Sequence, residues 1–237
     1  VQNGSVISGN NVQLAGGNIT NSGSTLLAKS ALTLDSQNSI NNLSDGLIKA
    51  GGGLNLSAIG DINNVGSTIS GKAVALESVT GDINNLTQAQ QVAIDARSKR
   101  GSVSLKDTVL GSTASISATD SLSLKAGNDI TLTGAHLSAG GDLLMNAGGN
   151  IALNANQIND AYSRSGFRRT PATSHATVEY QGSAVTAGGN LVMNAGKDLT
   201  AQAGDICAGK NASLSAGNDL NLNAETTGTS RRDGGKT

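Results

Sequence analysis

"GGNITN", residues 16–21, is the first of four similar phrases that recur along this sequence at a nearly fixed spacing. The others are "QNSINN" at 37–42, "IGDINN" at 59–64 and "TGDINN" at 80–85, so that their isoleucines lie 21, 22 and 21 residues apart. Periods of roughly 20–50 residues are typical of repeat proteins, in which each repeat buries its apolar face against its neighbours. The spacing therefore predicts a solenoid.

The residues between these phrases alternate between apolar and polar. Three examples are the pairs Leu32/Leu34, Leu54/Leu56 and Val74/Leu76. Alternation over a few residues indicates a strand with one buried face, and the i, i+3, i+4 pattern of a helical repeat is absent. Since parallel crossovers are almost always right-handed, we predict an all-β, right-handed parallel β-helix with about 21 residues per coil.

The second half of the chain keeps the period with different wording. An Ala-Gly-x-Asp/Asn phrase occurs seven times, starting at residues 126, 139, 147, 187, 195, 208 and 216. The intervals 126 to 147, 187 to 208 and 195 to 216 are each 21 residues. Glycine and asparagine tolerate the left-handed backbone of tight corners, so the coils are expected to continue through this half.

The repeated asparagines predict a structural ladder. If coils stack about 4.8 Å apart, equivalent side chains align, and stacked amides can hydrogen-bond to one another. The predicted ladder consists of Asn21, Asn42, Asn64 and Asn85.

The chain is expected to divide into six segments. In order these are β-helix at 1–95, a transition coil at 96–120, β-helix at 121–155, a protruding hairpin-like insertion at 156–183, β-helix at 184–225, and the start of a second insertion at 226–237.

Composition narrows the functional class. The 237 residues carry 16 Lys and Arg against 17 Asp and Glu, which gives no general attraction to nucleic acid. Aromatic residues make up 1% of the chain, so aliphatic side chains must fill the core. The single cysteine, Cys207, excludes a disulfide scaffold. Without a signal peptide or a membrane-spanning run, the chain is expected to be a fragment of a longer protein and a monomeric rod.

One stretch concentrates the unusual residues. "AYSRSGFRRTPATSHATVEY", residues 161–180, contains every aromatic residue and the one proline of the chain. Arginine and tyrosine are favoured at protein interfaces and also engage sugars or lipid headgroups. Packing of the rings against the solenoid is the alternative. The candidate partner-contact residues are Tyr162, Arg164, Phe167, Arg168, Arg169, His175 and Tyr180.

This insertion has a partial echo later in the chain. "NIALNANQINDAYSRSGFRR" at 150–169 is followed by "DLNLNAETTGTSRR" at 219–232, and both lead from a strand through polar residues to an arginine pair. Insertions in solenoids tend to map to one face, so a second protrusion is predicted.

The remaining polar residues are expected to be structural, and neither a metal nor a cofactor site is predicted. His136 and Cys207 have no partner at ligand or catalytic spacing. The basic run Arg97, Lys99 and Arg100 is either a solvated loop or a patch for anionic polysaccharide. The acidic residues assigned to turns are Asp61, Asp82, Asp129, Asp142, Asp198, Asp205 and Asp219. A polysaccharide-acting β-helix enzyme, which needs clustered carboxylates, is a remote alternative.

The repeated wording resembles a known family. "GSTISGKAVALESVTGDINN" at 66–85 and "AGGNLVMNAGKDLTAQAGDICAGKNASLSAGNDLNLNA" at 187–224 are similar to haemagglutinin repeats of filamentous haemagglutinin-like exoproteins. These are large surface proteins of Gram-negative bacteria, exported by two-partner secretion, and their repeats form right-handed parallel β-helices. The second style of repeat looks most like the late repeat region of CdiA-type effectors of contact-dependent growth inhibition.

The resemblance implies a function and a location. It implies a stalk segment that supports toxin delivery to neighbouring bacteria, with an adhesin segment that binds host cells or surfaces as the alternative. The implied partners are an outer-membrane two-partner-secretion transporter and a component of the target cell's outer membrane, with no nucleic acid. The implied location is the cell surface or the extracellular space, with entry into the target-cell envelope.

Overall fold

The computed structural model describes residues 1–165 and 171–233, and all regular secondary structure in these ranges is β-strand. The chain forms two compact units. The first comprises Val1–Gln88, Ser112–Ala155 and Gly182–Ala224 and is called the solenoid; the second comprises the described parts of Ala89–Gly111, Asn156–Gln181 and Glu225–Thr237 and is called the hairpin sheet. Within the described ranges no helix has the length and hydropathy needed to cross a bilayer.

The first fourteen strands end with the first hairpin. They are β1 (Val6–Gly9), β2 (Val12–Gly16), β3 (Ile19–Ser22), β4 (Thr25–Ala28), β5 (Leu32–Ser36), β6 (Ile40–Leu43), β7 (Leu47–Ala50), β8 (Gly53–Ala58), β9 (Ile62–Val65), β10 (Thr68–Gly71), β11 (Ala73–Ser78), β12 (Ile83–Leu86), β13 (Ala89–Ser98) and β14 (Gly101–Leu110).

The remaining strands follow the same order of coil and hairpin. They are β15 (Ser115–Ala118), β16 (Leu122–Ala126), β17 (Ile130–Thr133), β18 (His136–Ala139), β19 (Leu143–Ala147), β20 (Ile151–Asn154), β21 (Asn156–Arg164), β22 (Thr173–Gln181), β23 (Ala184–Ala187), β24 (Leu191–Ala195), β25 (Leu199–Gln202), β26 (Asp205–Ala208), β27 (Ala212–Ala216), β28 (Leu220–Asn223) and β29 (Gly228–Asp233).

The solenoid consists of three parallel sheets of eight strands each, and every coil adds one strand to each sheet. Their orders are β1-β4-β7-β10-β15-β18-β23-β26, β2-β5-β8-β11-β16-β19-β24-β27 and β3-β6-β9-β12-β17-β20-β25-β28. The register follows the sequence period: Ile62 pairs with Ile83, and Ile130 with Ile151. The predicted parallel β-solenoid of about 21 residues per coil is confirmed.

The core is a set of stacked aliphatic columns. One column runs Leu34, Leu56, Leu76, Leu124, Met145 and Met193, each paired in register with the next. All six side chains are buried. Burying one such side chain contributes roughly 1.5–3 kcal/mol. Because these side chains stack on their equivalents in neighbouring coils, each coil is stabilised mainly by the coils above and below it. None of the three aromatic residues of the chain lies in the solenoid, whose core is built from aliphatic side chains and two methionines.

The Ala-Gly phrases are explained by the closeness of successive corners. A Cβ atom added to Gly148 would overlap the carbonyl oxygen of Gly127, and one added to Gly196 would overlap that of Gly148. The same holds for Gly217 above Gly196. These glycines therefore form a column in which only a hydrogen fits between one corner and the next. The motif is required by backbone spacing as well as by turn geometry.

The structure differs from the sequence-based division in the first half. Residues 89–95 were expected to belong to the β-helix and 96–120 to a transition coil. Instead β13 and β14 form an antiparallel hairpin in which Ala89 pairs with Leu110, and the solenoid resumes at Ser112. The alternating sequence "QVAIDARS" at 91–98 suits a solenoid strand and a hairpin strand equally. The pattern alone did not distinguish them.

We expect Gly148→Ala to lower the free energy of unfolding by roughly 1–3 kcal/mol, because the added methyl group must push two corners apart. Urea denaturation followed by circular dichroism measures this change. Gly53→Ala is the matched control, since a Cβ at Gly53 meets no atom within 4 Å. Equal effects of the two substitutions would contradict the proposed stacking constraint.

Candidate functional site

Four buried asparagines join consecutive coils. The Nδ2 group of Asn21 donates to Oδ1 of Asn42 (2.9 Å), that of Asn42 to Asn64 (2.8 Å), and that of Asn64 to Asn85 (2.8 Å). All four side chains are at most 1% exposed. A buried amide without partners is costly, and stacking provides each amide with an identical neighbour.

Three of the four ladder asparagines, Asn21, Asn42 and Asn64, also hold the corner of their own coil. Asn64 donates to the carbonyl oxygen of Ser67 at 2.8 Å, and Asn42 donates to that of Gly46 at 3.1 Å. The ladder ends where Asn85 pairs with Leu132, since a leucine has no amide to continue it. At the other end, Oδ1 of Asn21 is buried without a hydrogen-bond partner in the structure. The ladder is therefore a structural element of the first half of the solenoid.

The corner aspartates act as acceptors for backbone groups of the next coil. Oδ1 of Asp82 accepts from the backbone N–H of Asp129 at 3.0 Å, and Oδ1 of Asp129 accepts from that of Asn150 at 2.7 Å. Asp142 accepts from the N–H of Asn190 in the same way. Asp205 differs, because it begins β26 rather than occupying a turn. In the described ranges, no three His, Cys, Asp or Glu side chains are placed to hold a metal ion.

Two other candidates lie apart from one another on solenoid strands. His136 is the exposed first residue of β18, and its carbonyl oxygen accepts from the Nδ2 group of Asn85 at 3.0 Å. Cys207 is an exposed free thiol on β26.

The insertions together form one antiparallel sheet of five strands, in the order β13-β14-β21-β22-β29. The predicted hairpin at about 156–183 is confirmed as β21 and β22, which pair from Asn156 with Gln181 to Arg164 with Thr173. The similar segment near the end of the chain, at 219–232, leads into β29, which pairs with β22.

The hairpins recur at a regular place in the fold. They follow β12 and β20, and β29 follows β28, so two coils separate successive insertions.

The structure separates the predicted contact residues into two groups. Tyr162 pairs with His175 on one side and Leu105 on the other, so these three share a face of the sheet. Arg164, two residues from Tyr162 on the same strand, lies on that face opposite Val103. Tyr180 pairs with Gln157 and lies on the other face. Phe167, Arg168 and Arg169 lie outside the described residues.

The face that carries Tyr162 also exposes aliphatic side chains that were not among the sequence-based candidates. They are Val92 (39% exposed), Ile94 (56%), Val103 (39%) and Val109 (52%), beside Tyr162 at 38%. The alternation of apolar residues in β13 and β14 was visible in the sequence. The sequence did not show, however, that these strands and β21 form one sheet. The buried aliphatic core lies entirely in the solenoid.

Comparison with known proteins identifies the repeat. A model of the hemagglutinin repeat matches residues 78–168 and 164–236, and a second haemagglutinin-repeat model matches 1–44 and 32–99. The chain belongs to the haemagglutinin-repeat family. The boundary between the two models falls near the first hairpin, where the Ile-Asn-Asn repeats give way to the Ala-Gly repeats. No solved structure matches the chain significantly.

Three relatives show how far the likeness to haemagglutinin-repeat proteins extends. The chain is 55% identical over 234 residues to the "tRNA nuclease CdiA" of Escherichia coli O6:K15:H31, covering 99% of this chain and 7% of the relative. It is 54% identical over 183 residues to the "16S rRNA endonuclease CdiA" of Enterobacter cloacae (77% and 5%). It is 43% identical over 219 residues to the "Deoxyribonuclease CdiA" of Dickeya dadantii (92% and 6%).

We expect Asn64→Ala to lower the free energy of unfolding by at least about 2 kcal/mol, because each buried partner left unsatisfied costs roughly 1–3 kcal/mol. Urea denaturation monitored by circular dichroism gives the value. Asn55→Ala is the control, since Asn55 is an exposed residue of the neighbouring strand β8. A loss no larger than that of the control would show that the ladder contributes little stability.

We expect deletion of residues 155–181 to leave the solenoid folded. The deletion joins Asn154 to Gly182 and Ser183, which reproduces the Gly-Ser corners at Gly23–Ser24 and Gly66–Ser67. Because the aliphatic core lies entirely in the solenoid, the melting temperature should change by only a few degrees in a circular dichroism melt.

The positive control for this deletion is Leu132→Ala, which empties a fully buried core position and should cost roughly 2–5 kcal/mol. A destabilisation by the deletion as large as that of Leu132→Ala would instead identify the hairpin residues as packing elements.

Proposed function

We propose that this chain is a structural stalk segment of a large secreted exoprotein of the Gram-negative cell surface, and that it supports contact-dependent delivery of a toxin to neighbouring bacteria. The observation that carries the proposal is the match to CdiA proteins over 99% of the chain, on an uninterrupted stack of coils. The chain spans 5–7% of the length of the three relatives described above.

The names of the relatives support a structural role for the shared segment. One is named a tRNA nuclease, another a 16S rRNA endonuclease and a third a deoxyribonuclease, although all three share this segment. A segment common to proteins with different named activities is unsuited to carry any one of them. The corner carboxylates of Asp82, Asp129 and Asp142 are occupied as acceptors of backbone N–H groups. We therefore assign no reaction to the segment.

The mechanical properties of the fold suit a stalk. Each coil is hydrogen-bonded to its neighbours along three parallel sheets. Additional coils therefore lengthen the solenoid without changing its cross-section. In this proposal the segment acts outside the cell as a single chain and places a distal module at a distance from the producing cell. Export would use a two-partner-secretion transporter recognised by another region of the exoprotein.

An adhesin segment is the second candidate. The observation that favours it is the hairpin sheet, whose exposed aliphatic and aromatic face includes Ile94 and Tyr162. Such a face is unusual unless it meets another surface. In either case a component of the target cell's outer membrane is the proposed partner of this part of the molecule.

The test uses the full-length E. coli CdiA relative. One variant lacks the segment that corresponds to this chain, and a second carries this chain in its place. We expect equal surface display of all three proteins, loss of growth inhibition in the deletion and its recovery in the exchange. The matched control deletes two complete coils elsewhere in the repeat region.

Cell-to-cell attachment is measured on the same strains to separate the two candidates. Loss of inhibition with attachment retained supports delivery, whereas loss of both together supports adhesion. Unchanged inhibition in the deletion strain would overturn the proposed role.

A further inference from the structure

Basic residues from three distant parts of the sequence meet at one end of the hairpin sheet. This end, here called the basic tip, comprises residues 95–102, 163–165, 172–174 and 231–233. Among the residues whose side chains the structure describes, it carries one acidic residue, Asp95, and six basic residues, Arg97, Lys99, Arg100, Arg164, Arg231 and Arg232. In sequence these belong to the first hairpin, the second hairpin and β29, so no single motif indicates their proximity.

Hydrogen bonds fix the first two hairpins against each other at the basic tip. The backbone N–H of Ser165 donates to the carbonyl oxygen of Ser102 at 2.9 Å, and the N–H of Ser102 donates to Oγ of Ser165 at 2.7 Å. The two serine hydroxyls are also bonded, at 3.0 Å. Arg100 on the first hairpin and Arg164 on the second are therefore held in hydrogen-bonded neighbouring hairpins.

Two open grooves lie at the basic tip and share Ser102, Arg164 and Ser165. The larger, about 540 Å³, is also lined by Arg232. The smaller, about 200 Å³, is also lined by Arg100. Guanidinium groups bind phosphate oxygens in a bidentate manner, and serine hydroxyls supply further donors. The lining chemistry of both grooves therefore fits phosphate groups.

Five cations of the basic tip are exposed to such a ligand, namely Arg97, Lys99, Arg100, Arg164 and Arg232. Over residues 1–165 and 171–233 none of these five side chains forms a salt bridge, and the salt bridge between Lys125 and Glu77 lies in the other unit. The opposite end of the Tyr162 face is acidic, with Asp107, Asp160 and Glu179 on the same strands. This polarity directs the basic tip toward an anionic surface.

Apolar side chains beside the cations distinguish a lipid surface from other polyanions. Val103 pairs with Arg164, and Tyr162 and Ile94 lie in the next row on the same face, all with large exposed areas. Basic residues next to exposed aliphatic and aromatic groups are typical of proteins that bind the interface of an anionic bilayer. Single-stranded nucleic acid would instead favour several aromatic stacking platforms, and among the described residues this face offers only the neighbouring pair Tyr162 and His175.

We propose that the basic tip binds the phosphate-bearing headgroups of an anionic lipid surface. Arg164 contacts phosphates from the face that carries Val103 and Tyr162, which enter the interface, and Arg100 does so from the turn of the first hairpin. Arg232 pairs with Ser174 on the opposite face and contacts phosphates through the groove that it lines with Arg164. This interaction is independent of whether the segment serves delivery or adhesion. It assigns a ligand class to the basic run at 97–100, which the sequence left as a solvated loop or a polysaccharide patch.

The test measures co-sedimentation of the 237-residue chain with vesicles of equal parts phosphatidylcholine and phosphatidylglycerol, and with pure phosphatidylcholine. We expect binding to the anionic vesicles alone, weakening as ionic strength rises. Each cation near such a surface is worth about a fivefold change in partitioning, so R100Q/R164Q/R232Q should reduce binding about 100-fold. K29Q/K49Q/K72Q, with the same loss of charge on exposed solenoid lysines, should bind as the parent does.

Several results would overturn the proposal. These are equal binding to neutral vesicles, equal loss of binding in the two triple variants, or displacement by inorganic phosphate at matched ionic strength, which would indicate a free-phosphate site. Retention on a sulfated polysaccharide without binding to vesicles would also do so. Circular dichroism establishes that each variant is folded, and R100K/R164K/R232K, which keeps the charge, should retain most of the vesicle binding.

Discussion

The spacing of about 4.8 Å between hydrogen-bonded strands is the constraint on which the rest of this structure depends. Every coil must repeat the backbone path of the coil beneath it at that distance. Side chains are then forced into columns of like residues, as in Leu124, Met145 and Met193. At the Ala-Gly corner in the second half, a Cβ atom at Gly148 or Gly196 would overlap the carbonyl oxygen of the coil below, whereas the equivalent corner in the first half carries Ile59 and Val79. Asparagine is favoured where a buried amide meets its own copy.

The solenoid could be predicted because its information is local and repeated. The isoleucines at 19, 40, 62 and 83 define the period, and a period determines which residues stack without any knowledge of distant contacts. The hairpin sheet could be predicted only in part. Its second hairpin was marked by the rings and the proline, whereas β13 and β14 have the same alternation as a coil strand. Pairing of β14 with β21 joins residues about sixty positions apart. No repeated sequence pattern predicts this pairing.

The candidate surface illustrates the same limit. Tyr162, Arg164 and His175 were recognisable by residue type, and the structure places them on one face. Tyr180 was recognisable too, but strand parity places it on the opposite face. Ile94 and Val103 looked like interior residues, because exposure of an aliphatic side chain depends on whether a second layer covers it. In a sheet that is formed by insertions, the amino-acid sequence of the strands does not reveal which face is exposed to solvent.

The Gly-Ser corner at Gly182–Ser183 has a consequence for how such proteins diversify. The second hairpin enters between Asn154 and this corner and lengthens the connection between stacked strands, so that Leu143 pairs with Leu191, 48 residues away, instead of about 21. Closing the longer loop costs only about 0.7 kcal/mol more. A whole subdomain can thus be gained, lost or exchanged at this joint while the thermodynamics of the stack hardly change. This corner is therefore a site at which an inserted subdomain can be exchanged, in evolution or by engineering.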